Sequence, residues 1–210
     1  MKTLLYLLTA YTLASLQGAD SPKSPDQRIV VELVAEAPDI VTPTGVGVDA
    51  QGRVIVIESH THFRPKNYEG PERDRVLMFT PQPKGKAKRS IFYEGLNMGM
   101  DATVGADGWV YLAERSRILR VKDTTGDSKA DKIEDVIVMK TTGTYPHNGL
   151  SGLCFDQKGN LVFGLGENLG HPYTMIGTDG KKIEGAKGIG GGVFRCTVDG
   201  KTLEQVARGF

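Results

Sequence analysis

Beyond its first twenty residues the chain shows no run of apolar positions at helical spacing; apolar and polar residues alternate instead, the two-residue period of a strand with one buried face. One pattern recurs three times: GVGVDAQGRVIVIE at 45–58, MDATVGADGWVYLAE at 100–114 and GLSGLCFDQKGNLVFGLGE at 149–167. Each copy reads as strand, turn, strand. Gly52, Gly108 and Gly159 hold the equivalent turn position, roughly fifty residues apart, where a hairpin needs a left-handed residue. That period fits one four-stranded propeller blade. Further strands are predicted at RVLMFTP, RILRVKD and GGVFRCTVDG, one after each hairpin. The fold class expected is therefore all-β, a β-propeller with about three blades present and a fourth barely begun. Such a ring is too short to close without exposed strand edges. EQVARGF reads as a strand that breaks off, and the chain is expected to be the incomplete front part of a longer molecule.

Ahead of the repeats, Lys2 precedes an apolar stretch from Leu4 to about Leu16 and then the small residues Gly18 and Ala19. This is a signal-peptide pattern over residues 1–19, too short for a transmembrane span, and it implies an exported protein, periplasmic or extracellular. DSPKSPDQR, residues 20–28, is polar with two prolines and reads as a linker. The partial propeller domain is expected over 29–210, starting near Ile29.

Composition narrows the function. Lys plus Arg number 26 against 25 Asp plus Glu, so no net field gathers nucleic acid or an anionic membrane. Cys154 and Cys196 both lie in strand-like runs; a disulfide is permitted in an exported protein, but two buried free thiols are expected, and the chain is not a disulfide scaffold.

YPHNGLSG places His147 and Asn148 immediately before an inner strand, on a loop at the rim of the central channel, where propeller sites lie. DTTGDSKADKIE, residues 123–134, follows the calcium-loop template, with Asp123, Asp127, Asp131 and Glu134 at positions one, five, nine and twelve. Thr125 stands at position three, and Ser128 replaces the usual glycine of the sharp bend. Glu58, His60 and His62 alternate at the end of the first hairpin and would share one face, as zinc ligands can, if the strand continued. GIGGG at 188–192 precedes a strand rather than a helix, so it reads as a turn and not a dinucleotide loop. KGKAKR at 84–89 reads as a solvated hairpin, and His171 as a second rim histidine.

HNGLSGLCFD followed by GNLVFGLGE, together with GRVIVIE, RDRVLMF, DGWVYLAE and DTTGDSKAD, resembles the glucose/sorbosone dehydrogenase family, in its planctomycete-type membrane-bound dehydrogenase subgroup. The resemblance covers roughly residues 40–210. It implies a six-bladed propeller that binds pyrroloquinoline quinone with calcium and oxidises a sugar or polyol, passing electrons to an acceptor such as a cytochrome. His147 would then be the general base, with Asn148, Glu58 and Glu167 at the cofactor, and the fragment would be inactive alone. Two alternatives stand beside it. One is a calcium-dependent propeller lactonase or related hydrolase using Glu58 and Asn148; the other is a non-catalytic binding propeller of a cell-surface assembly.

Overall fold

In the computed structural model, which describes residues 24–209, the predicted turns close the hairpins in one way. The N–H groups of Gly52, Gly108 and Gly159 donate to the carbonyls of Asp49, Gly105 and Asp156 at 2.9–3.0 Å. All three glycines have φ between 75° and 79°, the left-handed region that a side chain penalises. Asp49 and Asp156 hold the first and third turns shut, each accepting two further backbone N–H groups on one carboxylate oxygen.

β1 (Pro43–Val48), β2 (Val54–Glu58), β3 (Asp74–Thr80) and β4 (Lys88–Leu96) pair antiparallel in that order as the first blade. β5 (Gly99–Val104), β6 (Val110–Glu114), β7 (Arg117–Lys122) and β8 (Lys132–Thr141) form the second. The third opens with β9 (Leu150–Phe155) and β10 (Leu161–Leu165), and the chain then leaves it for a hairpin, β11 (Tyr173–Gly177) and β12 (Lys182–Gly185). It returns as β13 (Gly192–Cys196) and β14 (Glu204–Arg208) to complete the order β9-β10-β13-β14. The hairpin joins the outer edge of the second blade, Tyr173 opposite Thr141 and Gly177 opposite Ile137, making that sheet six-stranded. A strand pair that departs from one blade and extends its neighbour straps the two together. The fold is thus all-β, three successive propeller blades.

Inner strands β1, β5 and β9 lie side by side. Their approach explains the glycines of GVGV: a Cβ at Gly45 would sit 2.6 Å from the Cα of Asp101 on β5. One apolar cluster fills the space between the first and second blades, with Ile57, Val76, Leu96, Leu112 and Leu119 fully buried. Another lies between the second and third, around Tyr111, Ile137, Leu161, Phe163 and Phe194. Each such side chain contributes about 1.5–3 kcal/mol relative to exposure. Val56, Leu77 and Phe79 face the other side of the first blade, where Ala35 and Ile40 pack against them.

Two expectations need correction. EQVARGF is the outermost strand of the third blade, pairing with β13, and not the start of a fourth. Cys154 is exposed because β9 turns it away from the core; only Cys196 is buried, and both thiols are free. The first strand begins at Pro43. The signal-peptide reading and the first residues of the linker lie outside the described residues. Among the described residues no helix is long and apolar enough to cross a membrane.

Candidate functional site

β2 ends at Glu58, and the alternation that would have aligned Glu58, His60 and His62 ends with it. Glu58 is buried and fully engaged: Oε1 accepts the Val41 N–H at 3.1 Å, and Oε2 meets His60 Nε2 at 2.9 Å. The other ring nitrogen of His60 meets the Tyr68 hydroxyl. Glu114, at the same point of the second blade, does the same job, accepting the Asn97 N–H at 2.8 Å and pairing with Arg117. Both glutamates therefore latch the segment entering the inner strand of their own blade. Register puts Leu165, not Glu167, at this position in the third blade, since Leu150 faces Leu165 as Pro43 faces Glu58. Glu167 lies two residues further along, exposed on the rim, where its Oε1 accepts the Asn148 side-chain N–H at 3.0 Å.

His147 sits where the sequence put it, on a short 3₁₀ turn (Pro146–Asn148) entering β9, with Pro146 buried beneath and the imidazole exposed. Pro at the first position suits such a turn because its missing N–H has no partner there anyway. Sequence reading missed the neighbour. His62, from the loop after β2, lies edge-on to the His147 ring with centroids 4.4 Å apart. Phe63 packs on His62 at 4.1 Å, and Tyr145 lies 5.4 Å from His147. Two blades thus contribute an aromatic cluster around paired imidazoles. Burial and then the like charge of His147 hold the His62 pKa below the ordinary histidine value, against a smaller opposing effect of Asp74. Phe63 is 74% exposed at φ 48°, a strained position for a bulky residue.

Beneath this rim lie Asp74 and Arg115, both missed from the sequence. Asp74 is fully buried and accepts the N–H groups of His60, Thr61 and Gly99 and the Thr61 hydroxyl. Arg115, buried just after β6, donates Nε–H to the Tyr145 carbonyl at 3.2 Å and Nη2–H to Asn168 Oδ1 at 2.7 Å. Asn168 in turn donates to the Thr141 hydroxyl and the His171 carbonyl. Gly143 makes room for this group, since a Cβ there would lie 2.5 Å from Arg115 Nη2. His171 stands apart from the imidazole pair, its ring against the Thr142 hydroxyl.

At the loop 123–134 the carboxylates are engaged by nearby donors. Asp123 accepts the N–H groups of Thr125, Gly126 and Ser128, and Asp127 that of Lys129. Asp131 accepts the N–H and hydroxyl of Thr124. The Thr125 hydroxyl turns to Asp123, at 3.3 Å. Glu134 already lies within β8, its carboxylate paired with Arg120 at 2.6 Å and Lys132 at 3.0 Å. Among the described residues no three His, Cys, Asp or Glu side chains are grouped to hold a metal ion.

The family model of a domain of unknown function, DUF7133, matches residues 25–209. No curated protein matches the chain. Solved structures similar to it include a streptogramin B lyase, 14% identical, covering 78% of this chain and 53% of that one with a TM-score of 0.42. A selenomethionine-substituted virginiamycin B lyase from Staphylococcus aureus is 16% identical over 80% of this chain and 56% of its own, with a TM-score of 0.41. A catalytically inactive virginiamycin B lyase from the same organism, with quinupristin, is 17% identical over 81% of this chain and 57% of its own, with a TM-score of 0.43. The chain spans about half the length of these structures. The family match corrects the resemblance to glucose/sorbosone dehydrogenases: the family that covers the blades is DUF7133. The short strand-and-turn motifs behind that resemblance are what any blade needs to fold. Pyrroloquinoline quinone, a sugar substrate and a cytochrome acceptor rested on it and are not carried further.

Proposed function

The chain belongs to the family defined by the domain of unknown function DUF7133, and for it we propose a small-molecule site on the propeller rim that works by proton transfer, of the hydrolase or lyase kind. The observation that carries this reading is the edge contact of His62 and His147, brought from different blades to 4.4 Å. Two adjacent imidazoles resist double protonation, so around neutral pH the pair offers a free ring nitrogen as base. Burial of His62 biases it toward that neutral form. Phe63 and Tyr145 supply an apolar seat for a ligand, and the Asn148 amide, oriented by Glu167, a polar contact at its edge.

The test is turnover of a panel of aryl esters, lactones and compounds with an acidic C–H beside a carbonyl. Replacing a general base costs about 10²–10⁴-fold in rate, so His147→Ala and His62→Ala should each lose at least a hundredfold. Undiminished turnover in both variants would sink the proposal. The 74% exposure of Phe63 favours a second reading, ligand binding without chemistry. Its signature is a ligand that binds the wild type unchanged and is lost in Phe63→Ala.

A further inference from the structure

We infer that the free Nη1 of Arg115 recognises an oxyanion, the carboxylate of the small molecule that the rim takes. A guanidinium carries five N–H donors in a fixed plane. In Arg115, Nε is used by the Tyr145 carbonyl and Nη2 by Asn168, while Nη1 is buried with no partner. Among the described residues its guanidinium forms no ion pair, although Arg117 and Arg120 on the next strand are each matched to a glutamate. The residue is only 6% exposed. A buried charge with an unmet donor is destabilising unless something supplies the missing acceptor. Burial alone draws its pKa down, with no carboxylate holding it up.

Position ties this orphan donor to the rim. The carbonyl that binds Nε belongs to Tyr145, two residues before His147, so the guanidinium underlies the turn that presents the imidazole. Thr144 and Tyr145 are exposed, and one 3.2 Å bond fastens that turn to the arginine. For an anion to reach Nη1, this turn must give way. With Nε and Nη2 both engaged, Nη1 and the single charge of the guanidinium match a singly charged carboxylate better than a phosphate of higher charge. The anion would then be fixed by Arg115 while the imidazole pair moves a proton nearby. This rests on the reading of the rim as a ligand site, not on which reaction occurs there.

Acetate is the probe, with inorganic phosphate and chloride as comparisons at constant ionic strength. The full chain, ¹⁵N-labelled at arginine, should show one Nη resonance pair moving saturably with acetate, with a parallel rise in melting temperature and no response to chloride. Arg115→Met should abolish the response and Arg115→Lys weaken it tenfold or more. Should Arg115→Met fail to fold, the wild-type arginine resonances still decide. His147→Ala should keep the acetate response, so loss of chemistry and loss of anion binding are told apart. Equal shifts with chloride, a response to phosphate alone, or an unchanged response in folded Arg115→Met would each overturn the inference.

Discussion

The carboxylate of Asp74 accepts the backbone N–H of Gly99 at 2.7 Å, so a side chain at the start of β3 fastens the first blade to the inner strand of the second. The same two oxygens take three further donors from His60 and Thr61. An amide is nearly isosteric but must turn one N–H₂ toward donors. Asp74→Asn should therefore destabilise the fold by about 3 kcal/mol, since each buried donor left unmet costs about 1–3 kcal/mol. Urea unfolding measures it, and a loss under about 1 kcal/mol would mean the bolt carries little.

Close approach of the inner strands makes a second prediction. Gly45→Ala puts a methyl 2.6 Å from the Asp101 backbone, which cannot swing aside as a side chain would. Gly52→Ala meets nothing within 4 Å and pays only for its left-handed φ of 75°. The first should cost about 2–3 kcal/mol and the second about 1 kcal/mol. Equal midpoints in paired urea melts would contradict the packing of β1 on β5.

What could be read from the sequence follows from how local the physics is. Gly52, Gly108 and Gly159 declare their turns because only a left-handed residue closes them, and the blades follow from their spacing. The hairpin of β11 and β12 was not legible, because its partner β8 lies far back in the chain and KKIEG is too polar to announce a strand. At the site, His147 was legible from its place before an inner strand, and its partner His62 was not, being joined to it only by the closure of three blades. Glu58 was read as a channel group, and its bonds to Val41 and His60 were not legible. Its recurrence as Glu114 is a signal of a shared structural role in the first two blades, where the two carboxylates accept the N–H groups of Val41 and Asn97. Arg115 left one trace, a cation directly after a buried strand where the other blades carry Ser59 and Gly166.

The two thiols should part by reactivity. Cys154 is exposed, while burial raises the Cys196 thiol to about 12, so that almost none of it is thiolate at pH 8. Alkylation of the native protein with iodoacetamide should modify Cys154 alone, read by peptide mass, and Cys196 should follow only in denaturant. Native labelling at Cys196 would show that the core between the second and third blades opens.

The imidazole pair predicts a pH dependence with a definite sign. Burial, and then His147, depress the His62 pKa in the folded chain. Between that depressed value and the ordinary ~6.5 of an unfolded histidine, the unfolded chain binds the extra proton. Stability contributed by neutral His62 is therefore complete above the unfolded value and is lost as pH falls through the window. His147→Ala removes the like charge, so the His62 ring should titrate at higher pH, followed through its Cε1–H resonance by NMR. The acid-side loss of stability should become shallower in the same variant. A His62 titration that ignores His147→Ala would mean that the two rings do not meet in solution, and the proton-transfer reading of the rim would fall with the contact.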